Sequence, residues 1–291
     1  PRPQMLSSTR MEPLLIFFLA AASLVNCFVP SFRRRTSSIT VGLSPQQLGS
    51  FESLVVADHQ VDARTVELFD WSGSDPLSFQ EGWDFQKDLL SSHLDRLKNH
   101  SPGSDGAAAT QFHGFDSVVM LQHSPIYTLG TASDPDFVLS SEVEVVRMDR
   151  GGEVTYHGPG QLVVYPILDL RGYKQDIHWY MRAMEESILV AMKKAGISSA
   201  SREDDVTGVW IGGEKVAALG IKARRWVTQH GLAVNVTPES LANFDGIVPC
   251  GLEGRKVTCV NNHLSAPITV EEFAVFMKEA LEEIFCITLI A

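Results

Sequence analysis

Cysteine is scarce in this sequence: four of the 291 residues are cysteines, namely Cys27, Cys250, Cys259 and Cys286. None belongs to a Cys-x-x-Cys pair or to a Cys/His cluster with the spacing of a metal site. Nothing in their spacing resembles the disulfide framework of a small secreted domain, so a reducing compartment fits best. We therefore expect no metal site, and each cysteine serves either packing or chemistry.

Positive charge is also in short supply. The net charge is −11, although the first 45 residues carry five arginines against one glutamate. The remaining chain is therefore still more acidic, which excludes the basic footprint of nonspecific nucleic-acid binding. Its densest basic cluster is Lys222, Arg224 and Arg225, which either steers acidic partners or forms an ordinary solvated strand face.

The apolar run at residues 14–22 is too short for a comfortable transmembrane helix and has the form of a signal-peptide core. Residues 28–38 follow it, rich in Arg and Ser and without an acid, as in transit peptides. With Met11 as a plausible start, residues 1–50 resemble the two-part plastid presequence of algae with secondary plastids. We expect this presequence to be largely disordered or removed and the body to have no membrane association. An ordinary secretory signal and a mitochondrial presequence are the alternatives.

Helical and strand-like hydrophobic patterns alternate along residues 51–291, which we expect to form a single domain. Strands in antiparallel pairs, with long helices between and after them, predict an α+β fold, a mixed α/β sandwich. The expected helices are 77–98, 176–196 with Asp176 at its start, and one that begins at the capping box Thr269–Glu272. The expected strands are 66–70, 115–121, 143–148, 162–165, 206–211, 215–221 and 226–236.

One run stands out, Arg150 to Pro166, which reads RGGEVTYHGPGQLVVYP. It opens with a cation and two glycines, and glycine lets the backbone approach a ligand closely. Gly158-Pro159-Gly160 breaks the chain before a buried strand that ends at Pro166. The run predicts either a binding loop for an anionic or extended ligand or merely a tight turn.

Two residues elsewhere are candidates for catalysis. Cys250 stands between Pro249 and Gly251, where a thiol can face a cleft, although a lone cysteine is more often a small core residue. Lys215 opens an apolar strand and can act as a base or stabilise a thiolate, although a snorkelling lysine at a strand end is the commoner case. The sequence alone cannot place these two residues side by side.

The sequences of five segments resemble those of the lipoyl(octanoyl) transferase family. Besides the Arg150–Pro166 run, His-x-Pro-(Val/Ile)-(Tyr/Phe)-Thr-x-Gly stands at 123–130. Lys-(Val/Ile)-Ala-x-(Leu/Ile)-Gly stands at 215–220, and His-Gly-(Leu/Phe)-Ala-x-Asn at 230–235. The sequence (Ile/Val)-x-Pro-Cys-Gly stands at 247–251. The resemblance covers roughly residues 65–290 and implies a biotin/lipoate-protein ligase-like catalytic fold.

The resemblance implies a two-step acyl transfer without a cofactor or ATP. Cys250 would take an octanoyl group from octanoyl-acyl carrier protein as a thioester, while Lys215 lowers the pKa of that thiol and moves its proton. The acceptor would be a lysine of lipoyl domains, in 2-oxoacid dehydrogenase E2 subunits or the glycine cleavage H protein. The substrate-binding residues would be Arg150, Gly151, Gly152, Glu153, Val154, Thr155, Tyr156, His157, Ala218, Leu219, Gly220, Gly231, Leu232 and Ala233.

Two other functions compete with this interpretation. An ATP-dependent lipoate- or biotin-protein ligase would need a nucleotide loop, and no P-loop or Gly-Arg-Gly-Arg stretch is present. A non-catalytic carrier-protein binding module would not need Cys250 and Lys215 together. For the other candidates we expect structural roles: His123 as a hydrogen-bonded residue closing a strand, and Cys259 and Cys286 as packing residues.

Overall fold

An eight-stranded mixed sheet, with strand order β11-β1-β2-β6-β10-β9-β8-β7, lies at the centre of the fold. A second sheet, β4-β3-β5, lies beside it. The computed structural model describes residues 64–99, 115–203, 206–248 and 255–291, which all belong to the compact unit Gln46–Ala291. The strands are β1 Arg64–Asp70, β2 Ser117–Leu121, β3 Ile126–Leu129, β4 Val145–Arg147, β5 Thr155–His157, β6 Gln161–Ile167, β7 Ala200–Ser201, β8 Val209–Ile211, β9 Glu214–Arg224, β10 Val227–Asn235 and β11 Ile287–Ile290.

Three helices cover the two faces of the large sheet: α1 Phe79–Asn99, α2 Ile177–Lys194 and α3 Val270–Phe285. Successive side chains of a strand point to opposite faces. Val119 and Val163 accordingly pack in one cluster with the α1 leucines, whereas Val118 and Leu162 pack in another with α2 and α3. Because helices cover both faces, β2 and β6 are buried along their whole length. The predicted α/β sandwich is confirmed.

The helix ends follow the capping residues in the sequence. The Asp176 carboxylate accepts a hydrogen bond from the Trp179 amide at 3.0 Å and starts α2. Gly196, with φ of +97°, follows its last turn. Thr269 and Glu272 form the reciprocal capping box that starts α3. The three predicted helices and the β8–β9 hairpin with its Gly212-Gly213 turn are therefore confirmed, with shifts of a few residues at their ends.

The strand pairing differs from the prediction in one respect. The sequence predicts antiparallel pairs, but β1 runs parallel to both β2 and β11, and β3 runs parallel to β4. Parallel partners are joined by long crossovers, so no local turn signal announces them. The sequence patterns also gave no assignment to β11 or β3, because both are short apolar runs next to stronger signals.

Two single residues also differ from expectation. Pro166 lies inside β6 and not at its end. Pro166 has no amide hydrogen to donate, and the strand tolerates it because it lies beyond Leu232↔Val164, where the β6–β10 ladder ends. Its carbonyl accepts a hydrogen bond from the Thr228 hydroxyl at 2.7 Å. Cys286 is exposed, contrary to the predicted packing role, because it ends α3 in a left-handed conformation with φ of +52°. Cys259 is fully buried, as predicted.

Within the four described ranges, no helix combines the length and the apolar character needed to cross a membrane.

Candidate active site

A cavity of about 170 Å³ lies where the glycine-rich loop after β4 meets strands β9 and β10. Aliphatic side chains and glycines supply most of its wall, and Phe79 of α1 and Tyr165 of β6 complete it. Polar groups are few: Arg150, Lys215, His157 and His230 are the basic residues among the lining residues that the structure describes. Such a mainly apolar cavity with a few converging polar groups is the usual form of a small-ligand site.

Arg150 fixes the loop that forms one wall. Its buried guanidinium donates to the carbonyls of Gly151, Thr128 and Glu153, each at 3.0 Å, and to the Thr128 hydroxyl at 2.9 Å. The Gly151 amide in turn donates to the Ile221 carbonyl of β9 at 3.0 Å. A guanidinium group has five N–H donors in one plane, so it can bond to several carbonyls at once. Arg150 therefore stabilises the conformation of its own loop.

Gly220 lets the Arg150 loop lie directly on β9. A Cβ at this position would come within 2.9 Å of the Gly151 carbonyl oxygen and 3.0 Å of the Arg150 side chain. Both distances are shorter than an ordinary carbon contact, so any larger residue would push the loop away. The glycine at the end of the Lys215–Gly220 motif therefore sets the width of the cavity.

His157 lines the cavity as a neutral imidazole. Its Nδ1 lies 2.7 Å from Gln161 Oε1, and the Gln161 amide donates to the Tyr156 carbonyl and to Asn235 Oδ1. Since the amide uses its hydrogens there, Nδ1 of His157 carries the proton that bonds to Oε1. Burial lowers the pKa of His157 to about 3, with the neighbouring His123 also lowering it.

His123 closes β2 as predicted, buried and hydrogen-bonded to the Leu77 carbonyl and the Tyr165 hydroxyl at 3.2 and 2.8 Å. Burial lowers its pKa to about 4.

Lys215 is buried at the start of β9 and lines the same cavity. Its ammonium lies 5.3 Å from the centre of the Trp210 ring, within the range of a cation–π contact. The Lys215 amide donates to the Lys256 carbonyl, and the Thr258 amide donates to the Lys215 carbonyl, both at 2.9 Å. The chain that follows Cys250 is therefore hydrogen-bonded to Lys215.

Cys250 itself lies outside the described residues, as does the segment 249–254 around it. On the preceding side, the Val248 amide donates to the Phe137 carbonyl at 2.8 Å. On the following side, the Arg255 guanidinium lies 4.8 Å from the centre of the Trp210 ring, the same ring that Lys215 contacts.

Most of the residues predicted for the site line this one cavity, although they come from three separate stretches of sequence. Gly151 and Tyr156 stand outside its lining: Gly151 is exposed, and Tyr156 points away from its strand neighbours Thr155 and His157 into a core with Tyr127 and Phe244. The lining residues that the sequence predicted are Arg150, Gly152, Glu153, Val154, Thr155, His157, Lys215, Ala218, Leu219, Gly220, Gly231, Leu232 and Ala233.

His230 is the main lining residue that the sequence prediction left out, although it heads the His230–Asn235 motif. It is buried, its Nε2 lies 3.1 Å from Asp149 Oδ1, and its backbone has φ of +61°. Burial lowers its pKa below the ordinary value, while the bonded Asp149 carboxylate acts in the opposite direction. Phe79 could not have been found, because nothing near it in sequence distinguishes it from other helix residues.

Comparison with known proteins fits this arrangement. Residues 103–282 match the family described as lipoyl protein ligase A/B catalytic domain. The chain is 40% identical over 206 residues to the chloroplastic octanoyltransferase LIP2p2 of Arabidopsis thaliana, covering 69% of each protein. It is 40% identical over 210 residues to an octanoyltransferase of Nostoc punctiforme, covering 71% of this chain and 84% of that one. The chain belongs to the octanoyltransferase family. It is therefore an acyltransferase.

Solved structures agree on the fold. A lipoate-protein ligase A bound with ATP superposes with a TM-score of 0.55 at 15% identity, over 79% of this chain and 90% of that one. A bipartite lipoate protein ligase from Thermoplasma acidophilum, described with its E2 lipoyl domain, gives 0.53 at 15% identity, over 79% and 88%. The fold is that of the lipoate-protein ligases, as the sequence resemblance implied.

Proposed function

We propose that this family member transfers an octanoyl group from octanoyl-acyl carrier protein, through a thioester on Cys250, to the lysine of a lipoyl domain. The observation that carries the proposal is the position of Lys215. It lies in the wall of the apolar cavity, and its backbone is hydrogen-bonded to the segment that follows Cys250. A long alkyl group suits such a cavity, because its burial there removes apolar surface from water.

The proposed chemistry conserves the activated acyl group. The Cys250 thiolate attacks the thioester carbonyl, a carbon–sulfur bond to Cys250 forms, and the bond to the carrier sulfur breaks. The carrier then leaves as a thiol, with the proton that Cys250 lost. The acceptor amine then attacks the Cys250 thioester, an amide forms, and the Cys250 thiolate is released. Lys215 receives and returns the protons. Amide formation is downhill from a thioester, so the reaction needs no ATP.

The relatives support a proposal for the acceptor and for the compartment. The Thermoplasma ligase is described with an E2 lipoyl domain, and the Arabidopsis relative is chloroplastic. For this chain we accordingly propose lipoyl domains of E2 subunits, or the glycine cleavage H protein, as acceptors and a plastid as the compartment. The proposed presequence, residues 1–50, lies outside the described residues.

The deciding experiment is intact-mass analysis after mixing the protein with octanoyl-acyl carrier protein. We expect one added octanoyl group, on the peptide that contains Cys250, and its loss when lipoyl domain is added. Cys250→Ser should form no acyl-enzyme and should lose transfer.

Cys259→Ser is the matched control and should keep both reactions, because the buried Cys259 is outside the cavity lining. Full turnover by the Cys250 variant would contradict the proposal, and so would transfer that requires ATP with free octanoate.

A further inference from the structure

A second cavity, of about 350 Å³, lies between α1 and the hairpin formed by β9 and β10. We call it the basic groove. Two carboxylates, Asp95 and Asp149, also line it, but the cations outnumber them on a chain of net charge −11. The five cations of the basic groove are Lys87, Lys98, Lys222, Arg224 and Arg225.

The lysines and the arginines differ in their partners. Each lysine has a nearby carboxylate: Asp84 for Lys87 at 2.5 Å, Asp95 for Lys98 at 2.7 Å, and Asp149 for Lys222. Arg224 and Arg225 are exposed and form no ion pair with any residue that the structure describes. These two guanidinium groups are therefore the cations that an incoming anion meets first.

The hairpin turn that follows Arg224 is strained. Arg225 and Trp226 form a two-residue connection, with φ of +52° and +68°, between Arg224 and its partner Val227. Such turns normally use Asn or Gly, because other residues are strained at positive φ. The Trp226 side chain packs against the core, and its carbonyl accepts from the Leu170 amide at 2.8 Å. The anchored turn presents Arg224 and Arg225 on a rigid element.

The basic groove and the cavity of the candidate active site are neighbours. Asp149 lines the groove, bonds to Lys222 there, and bonds to His230, which lines the cavity. Along β9, Arg224 lies four residues beyond Gly220 of the cavity wall, roughly 13 Å away at about 3.3 Å per residue.

We propose that the basic groove docks the acyl donor, an acidic protein that carries its thioester at the end of a long flexible arm. The proposal rests on the two-step transfer described above. The donor is favoured over the acceptor by reach: a lysine side chain is short, so the acceptor must come to the cavity mouth itself. A donor with a long arm can bind at the basic groove, roughly 13 Å from the cavity wall, and still deliver the acyl group to the cavity. Arg224 and Arg225, which form no ion pair within the described ranges, supply the charge complementarity that such a partner needs.

The test is a double charge reversal, Arg224→Glu with Arg225→Glu. The control is Lys193→Glu with Lys278→Glu, which changes the charge equally on α2 and α3, on the opposite face of the sheet. Three quantities are measured: KM for octanoyl-acyl carrier protein, KM for the lipoyl domain, and the rate of Cys250 acylation by octanoyl-pantetheine, an uncharged thioester. The salt dependence of kcat/KM for the carrier is recorded for each protein.

We expect the groove variant to raise KM for the carrier by about tenfold or more and to flatten its salt dependence, with little change in the other two quantities. The control should resemble the unaltered protein. An unchanged KM for the carrier, or a rise for the lipoyl domain alone, would overturn the docking proposal. If octanoyl-pantetheine acylates Cys250 in every variant, such a result counts against the groove only. If no protein is acylated by either thioester, the two-step transfer fails instead.

Discussion

At the scale of the residue, Arg150 shows that predicting where a residue lies differs from predicting what its side chain does. Its neighbours in sequence, two glycines and a run of strand-forming residues, marked the loop as part of a site. The structure directs its guanidinium to three backbone carbonyls and a hydroxyl. No local pattern predicts that, because Thr128 lies 22 residues earlier in the sequence.

Arg150→Lys should therefore weaken the loop although it keeps the charge. An ammonium group cannot satisfy the same set of buried carbonyls, so we expect the free energy of unfolding to fall by about 2 kcal/mol and transfer to slow. Urea unfolding followed by fluorescence measures the first effect. Arg147→Lys is the control: the Arg147 side chain is exposed and its bonds are 3.3 Å long, so its loss should matter little. Equal stability losses in the two variants would show that Arg150 has no special bracing role.

Lys215→Ala tests the second residue that the sequence singled out. If Lys215 favours the thiolate of Cys250, the variant should need a higher pH for alkylation of that thiol by iodoacetamide. Peptide mass spectrometry separates the cysteines, and the exposed Cys286 serves as an internal reference whose profile should not move. Lys215→Arg keeps a cation, so the pH that it needs for Cys250 alkylation should lie between those of the unaltered protein and the alanine variant. An unchanged Cys250 profile in the alanine variant would remove Lys215 from the mechanism.

At the scale of the element, the turns at the two ends of β9 differ in whether the local sequence predicts them. The turn before β9 is Gly212-Gly213, with φ of +59° and +84°, and its sequence announces it. The turn after β9 is Arg225-Trp226, which no turn rule predicts. It forms because Trp226 anchors in the core, which is a tertiary cause that a reading of local sequence cannot contain.

Arg225→Asn should relieve this turn. Asn tolerates positive φ better than Arg, so we expect the free energy of unfolding to rise by roughly 0.5–1 kcal/mol. The same change should raise KM for the carrier, because it removes one groove cation. Arg225→Lys keeps both the charge and the strained backbone and should alter neither strongly. A destabilised asparagine variant would indicate that the arginine side chain contributes more than its backbone strain costs.

At the scale of the whole molecule, the sequence predicts the layered α/β architecture but not which strands are neighbours in the sheet. Hydrophobic periodicity predicts the helices and most of the strands. The family motifs indicate three separate stretches as parts of one site, and residues of all three line the same cavity. The order of strands in the sheet is not predicted, because the pairing of β1 with β2 and β11 depends on contacts between distant parts of the chain. The position of Cys250 stays a prediction.

Stability should fall in mild acid because His123 and His157 are buried as neutral rings. Their pKa values in the folded protein are about 4 and about 3, against an ordinary value near 6.5. As the pH falls below about 6.5, the unfolded chain takes up protons that the folded chain does not. Each histidine then lowers the free energy of unfolding by at most about 1.4 kcal/mol per pH unit, down to its folded pKa.

Urea unfolding between pH 7 and pH 4.5 measures this slope. His123→Gln should make it shallower, whereas His178→Gln, at an exposed position of α2, should leave it unchanged. Parallel slopes for the His123 variant and the unaltered protein would show that His123 takes up its proton without unfolding.

The parallel pairing of β1 with β11 has a consequence for how the chain folds. Arg64 pairs with Ile287, about 220 positions away, so this contact can form only after all the residues between them have been synthesised. During synthesis, the outer edge of β1 stays open after the rest of the sheet has been made, and open strand edges invite wrong partners. Strand β11 therefore completes the sheet late in folding. We expect the folding yield to depend on chaperones more than the local sequence signals suggest.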